Sequence, residues 1–148
     1  MYEKFGQFID WKLCQSSEKS TYEVINPANE ETLGHASKAT QKDVDRALKS
    51  AEKGLQVWKK TPPWQRSYII RRIADKIREK QNVLAKWMTL EVGKPFVEAK
   101  GEVNGAADIF EWNAEETKRI YGQTVESRFV DTRVHVYYQP VGVVAALS

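Results

Sequence analysis

Val141-Gly142-Val143-Val144-Ala145-Ala146-Leu147 runs for seven residues without a polar side chain. Strands read this way when helices cover both faces of a parallel sheet, so the run predicts a buried parallel strand and an α/β fold. Such a strand needs neighbours, each supplied by a crossover of about a dozen residues or more. Only Ser148 follows, and the sequence therefore reads as an incomplete amino-terminal segment of a larger α/β protein. Immediately upstream, Val134, Val136 and Tyr138 alternate with Arg133, His135, Tyr137 and Gln139. That period of two predicts a half-buried antiparallel or edge strand, which Pro140 interrupts.

Further toward the amino terminus the period becomes helical. A helix is expected over residues 97–121, carrying Gly101, Gly105, Ala106 and Ala107 ahead of Ile109, Phe110 and Trp112, and ending at Gly122. Its two interior glycines cost roughly 1 kcal/mol each relative to alanine, which implies that something approaches the helix closely. Before it, Val83, Leu84, Trp87, Met88 and Leu90 form an apolar helix that Gly93 closes in the left-handed conformation and Pro95 blocks. Residues 64–81 give another, with Ile70, Ile73, Ala74 and Ile77 as its stripe. The first helix starts at Thr40, an N-cap with Asp43 three residues on, and stops at Thr61-Pro62-Pro63. Burying its Val44, Leu48, Leu55 and Trp58 would contribute on the order of 6 to 12 kcal/mol, so this helix needs a surface to dock on. Tyr22-Glu23-Val24-Ile25 and Thr32-Leu33-Gly34-His35-Ala36 are expected to pair as a hairpin.

Composition excludes several classes. The 23 basic and 20 acidic side chains leave a net charge of +3, spread along the chain without a single-sign block, so nucleic acid is not an expected partner. The basic stretch from Arg66 to Lys80 is interrupted by Asp75 and Glu79 and reads as a solvated face. No apolar run approaches the roughly 20 residues a bilayer span requires. One cysteine and no leader at Met1-Tyr2-Glu3-Lys4 make a cytoplasmic protein the expectation.

An ordered set of motifs then carries a resemblance. Phe8-Ile9-Asp10, Val24-Ile25-Asn26-Pro27-Ala28, Asp43-Val44-Asp45-Arg46-Ala47 and the interval from Trp58 to Arg66 come first. Leu90-Glu91-Val92-Gly93-Lys94-Pro95 with Glu98-Ala99, and Gln139-Pro140-Val141-Gly142-Val143-Val144-Ala145-Ala146, complete it. In order and spacing these resemble the amino-terminal part of the NAD(P)-dependent aldehyde dehydrogenase superfamily. The stretch from Glu111 to Glu116 and from Arg119 to Gly122 is most similar to the succinate-semialdehyde dehydrogenase branch.

The resemblance implies a parent enzyme that oxidises an aldehyde, such as succinate semialdehyde, to its acid with NAD or NADP, as a dimer or tetramer. It divides the chain into residues 1–127, the amino-terminal part of the cofactor-binding domain with a short β hairpin and four helices; 128–140, oligomerisation-type strands; and 141–148, the first strand of a Rossmann-like sheet. The family's oxyanion asparagine, general-base glutamate and nucleophilic cysteine lie beyond its equivalent of Ser148, so the chain alone is expected to be inactive. Carried over residue by residue, Leu147 and Ser148 lie against the cofactor's nicotinamide ribose. Gly105, Ala106 and Phe110 flank the substrate tunnel, and Glu91 with the carbonyls of Val24 and Ile25 holds a monovalent cation. The family carries glycine where Glu30 stands, so the left-handed residue of that turn is expected at Asn29, or the turn differs.

Other candidates read more plainly. Cys14 does not match the family's cysteine and is expected to be an ordinary thiol. Glu115 and Glu116 diverge by about 100° around a helix axis and read as a solvated face. His35 and His135 fit no metal spacing. The alternative function, from another class, is an interaction module that pairs with a dehydrogenase subunit through the strand within residues 129–139.

Overall fold

The computed structural model describes residues 2–147, with side chains described from residue 5 onward. Strands β1 (Tyr2–Phe5), β2 (Gln7–Ile9) and β3 (Lys12–Cys14) precede β4 (Thr21–Ile25) and β5 (Thr32–Ser37). Helices α1 (Gln41–Trp58), α2 (Pro63–Glu79), α3 (Gln81–Val92) and α4 (Phe96–Glu116) follow, then a 3-10 turn (Thr117–Arg119) and strands β6 (Gln123–Glu126) and β7 (Arg133–Val136). The expected hairpin of β4 with β5 is present, and β1 joins it in parallel on the β5 side. Two further hairpins, β2 with β3 and β6 with β7, stand apart from that sheet.

Local chemistry explains the boundaries. Thr40 caps α1 and Asp43 returns its side chain to the Thr40 N–H, the reciprocal pair expected from the sequence. Gly93 closes α3 at φ +77°, donating its N–H to the Thr89 carbonyl, and Pro95 opens α4 two residues later. Helix α4 ends at Glu116, short of the expected Tyr121. Gly122 serves a different purpose: a Cβ there would lie 2.5 Å from the Val136 carbonyl oxygen, so the start of β6 packs directly on the backbone of β7. At the turn after β4 the left-handed residue is Glu30 itself, at φ +59°, rather than Asn29. Its N–H donates to the Asn26 carbonyl, and the Asn26 N–H donates to that of Glu31, which fixes the turn around a non-glycine residue.

The core lies where α4 crosses α2 and α3. Ala74, Ala85, Ala99, Val103, Ala107 and Ala114 are buried there, with Ile77, Leu84 and Met88 packed around Ala85, Ala99 and Val103. Small side chains at the contacts let the helix axes approach closely. Phe5 reaches the α3 face edge-on to Trp87, with ring centroids 6.2 Å apart, and ties β1 to the bundle.

Much apolar surface stays uncovered. Helix α1 has β2 as its main neighbour, and Val44, Leu48 and Trp58 remain 39–47% exposed, so the docking surface expected for this helix is not supplied by the described residues. The described chain exposes 11,795 Å², against about 7,700 Å² for a compact monomer of its mass. Of two strand expectations, the antiparallel strand forms as β7 against β6 but without a buried face, and the parallel strand does not form. Val134 and Val136 in β7 are exposed on a two-stranded hairpin, so neither face is half-buried. Residues 141–147 form no strand. Val141 and Leu147 are exposed, Gly142 turns to φ +116°, and no ladder partner lies among the described residues to hold the run extended.

Candidate functional site

Polar organisation is concentrated in two carboxylate-centred clusters. The first joins α1 to the loop after β3. The Asp43 side chain is 1% exposed and accepts hydrogen bonds from the N–H groups of Thr40 at 3.0 Å and Ser17 at 3.1 Å. The hydroxyls of Ser16, Ser17 and Thr40 also donate to it, and the Arg46 guanidinium stands 3.4 Å away. The Thr40 N–H, followed by the Ser17 N–H, holds this carboxyl well below the usual carboxylate range against the opposing pull of burial. With its oxygens so occupied, Asp43 is a structural lock between the amino-terminal strands and α1.

The second cluster fastens α2 to α4. Arg71 donates to Glu111 at 2.6 Å and to Glu115, while Arg78 donates to Asp108 at 2.8 Å and to Glu111 at 2.6 Å. Glu111 is held below the ordinary glutamate range by Arg78 and then Arg71, and Glu115 by Lys118 and then Arg71. Arg71 and Arg78 are raised in turn by Glu115 and Asp108. The expectation of a solvated Glu115-Glu116 face is corrected for Glu115, which is half-buried and shared by two cations; Glu116 is exposed as expected and accepts from Arg119 at 3.0 Å. The signal was available as two complementary stripes, Arg71 with Arg78 on α2 and Asp108, Glu111 and Glu115 on α4, but only knowing that these helices pack together makes it readable.

The sequence-derived sites are distributed as follows. Val24 and Ile25 end β4, where the ladder register shifts between them. Glu91 lies in the last turn of α3, whose closing Gly93 would place a Cβ 3.0 Å from Pro27, so α3 ends against the turn that follows β4. Among the described residues no group of three or more His, Cys, Asp or Glu is arranged to hold a metal ion. A cation at this junction would rest on backbone carbonyls and Glu91. Ala106 and Phe110 share one face of α4, one turn apart; Gly105 lies on a neighbouring face with Gly101, Ile109 and Trp112. All three expected tunnel residues are solvent-exposed in the described chain. Leu147 is 97% exposed, and Ser148 lies outside the described residues.

A cavity of about 920 Å³ opens between the end of α1, the start of α2 and the β6–β7 hairpin, walled by Trp58, Arg66, Tyr121, Tyr138 and Pro140. The Arg66 Nε on its wall is buried without a hydrogen-bond partner among the described residues. The sequence reading missed this cavity because its walls come from three separated segments. Cys14 donates to the Gln7 carbonyl at 3.3 Å and receives the Arg46 Nη2 at 3.2 Å, and no histidine accompanies it.

The family model described as the aldehyde dehydrogenase family matches residues 14–148. The chain belongs to that family. Among curated relatives, the glutarate-semialdehyde dehydrogenase of Pseudomonas aeruginosa is 39% identical over 141 residues, covering 95% of the chain and 29% of the relative. The succinate-semialdehyde dehydrogenase (NADP+) GabD of Escherichia coli is 42% identical over 143 residues, 97% of the chain and 29% of the relative. Among solved structures, a succinate-semialdehyde dehydrogenase from Burkholderia pseudomallei superposes with a TM-score of 0.89 at 33% identity, covering 93% of the chain and 29% of that protein. A betaine aldehyde dehydrogenase from Staphylococcus aureus, solved with NAD+, superposes at 0.81 with 30% identity over 88% of the chain and 26% of that protein. The chain thus spans less than a third of the length of the relatives it matches. No helix among its described residues is long and apolar enough to cross a membrane.

Proposed function

We propose that these 148 residues serve as the amino-terminal scaffold of an enzyme that oxidises the semialdehyde of a dicarboxylic acid to the diacid, with NAD or NADP as hydride acceptor. The observation that carries this reading is the likeness to a succinate-semialdehyde dehydrogenase at a TM-score of 0.89, joined to identities of 39–42% with relatives named for succinate and glutarate semialdehyde.

The cofactor supplies hydride chemistry when bound. The described residues make no cradle for it: of the two expected ribose contacts, Leu147 is almost wholly exposed and Ser148 is not described. No step of the reaction is therefore assigned to a side chain of this segment. Its part is to hold α4, with Ala106 and Phe110, at the face where a tunnel wall is needed, through the Arg71 and Arg78 pairs to α2. The junction of α3 with the end of β4 is the proposed place for a monovalent cation. The β6–β7 hairpin, two-stranded and exposed on both faces, is the proposed contact with another subunit, which also accommodates the reading as an interaction module.

The purified 148-residue chain, given succinate semialdehyde with NAD or NADP, is expected to form no reduced cofactor. Turnover that tracks this chain through purification would overturn the assignment of scaffold without chemistry.

A further inference from the structure

A separate basic cavity lies between the β2–β3 hairpin and α1. It has a volume of about 300 Å³, and its wall carries Lys12 from the hairpin with Arg46, Lys49 and Lys53 from α1. Asp10 is its one carboxylate, already accepting from the Ser50 hydroxyl at 3.4 Å. Four cations against one anion leave the lining at a formal +3, and of the four only Arg46 has a carboxylate partner, Asp43 at 3.4 Å behind the wall.

Elsewhere in the described chain several basic side chains stand against carboxylates. Lys76 pairs with Glu79, Lys94 with Glu102, Lys118 with Glu115 and Arg119 with Glu116. Lys12, Lys49 and Lys53 have no ion pair among the described residues. Arg46, Lys49 and Lys53 recur at spacings of three and four, which sets like charges one above another along α1 and makes them repel. Lys12 is then brought up to the same cavity by a hairpin whose tight turn, Asp10-Trp11, holds both residues at positive φ. An anion among these groups relieves that repulsion, and three ammonium groups with a guanidinium offer donors in several directions at once.

We propose that this cavity binds a compact, multiply charged oxyanion of the pyrophosphate type, either free or as the diphosphate of a nucleotide. The space suits the small end of ligand sites and is too tight to enclose a dinucleotide. Cys14, the chain's single cysteine, lines the cavity beside Arg46 and reports on its occupancy.

The test is the rate at which neutral iodoacetamide alkylates Cys14 in the full chain while inorganic pyrophosphate is titrated at constant ionic strength. The expected result is saturable protection, about tenfold at roughly ten times the half-saturating concentration, by mass action. A K49A/K53A double variant, changed only at exposed helix positions and checked for unaltered helicity, is expected to lose it. Three results would overturn the proposal: alkylation indifferent to pyrophosphate, slowing reproduced by sodium chloride alone, or protection that survives in the double variant. A parallel titration with ADP separates the two sources. Protection at lower concentrations than pyrophosphate assigns the nucleotide-borne diphosphate, whereas protection by pyrophosphate alone assigns the free anion; either supports the site.

Discussion

Replacing Gly101 and Gly105 with alanine is expected to stabilise the 148-residue chain. Both residues sit inside α4, and beyond the helix's own local backbone a Cβ built at either meets no described atom within 4 Å. Neither has the positive φ that would make a side chain costly there. The usual penalty of a glycine in a helix interior therefore has no packing gain to offset it in the described structure. Each substitution should add about 1 kcal/mol, from better helix propensity and a less disordered unfolded chain. The two methyl groups share no packing partner, so about 2 kcal/mol is expected for the pair. With a urea dependence of roughly 2 kcal/mol per molar, the midpoint should rise by about 0.5 M for each change. Urea unfolding followed by circular dichroism reads this directly, with an unchanged slope as the check that the same transition is being observed. A lower midpoint for either variant would refute the reasoning, because it would mean that some other part of this chain lies against that face. In a longer chain whose further residues cover α4, the sign should reverse.

Acid should destabilise the chain from the ordinary carboxylate range downward. Asp43, Glu111 and Glu115 are held below their usual values when folded, so the unfolded chain takes up protons first; the stability they supply is complete above about pH 5 and is lost as pH falls through the folded values. Unfolding midpoints measured from pH 7 to pH 3 should fall, and an Asp43→Asn variant should be less stable at pH 7 but lose less on acidification; parallel curves would contradict this. Glu30→Gly relieves a left-handed non-glycine residue and should gain about 1 kcal/mol in the same urea assay, with a loss counting against the turn geometry. Gly122→Ala forces a methyl group against the Val136 carbonyl and should cost about 1 to 3 kcal/mol locally, seen as faster amide exchange across β6 and β7; unchanged exchange would show that the hairpin is not packed this closely.

Local signals were legible in the sequence where the chemistry was itself local. The Thr40 and Asp43 cap, the Gly93 stop and the pairing of Tyr22 to Ile25 with its return strand depend on neighbours a few residues away, and all are present. Long-range features were not. Nothing near Arg71 in sequence reveals that Glu111 and Glu115 stand opposite it, and nothing near Asp43 reveals Ser17. The readings that failed share one cause. Residues 141–147, the apolar face of α1 and the glycines of α4 all carry patterns of burial, yet the described residues place nothing against them. Their patterning fits a larger body of protein than the one described, in keeping with relatives of which the chain spans 29%. The family's motif order was likewise readable, and the expected tunnel residues Gly105, Ala106 and Phe110 all fall on α4.

Complementation tests most directly the proposal that this segment completes an enzyme whose chemistry lies in other residues. The chain would be co-expressed with the part of the E. coli succinate-semialdehyde dehydrogenase that follows the region it matches. Aldehyde-dependent NADPH formation is expected from the co-purified pair and from neither piece alone. A stable pair without activity, two folded pieces that fail to associate, or turnover by the 148-residue chain on its own would contradict the account.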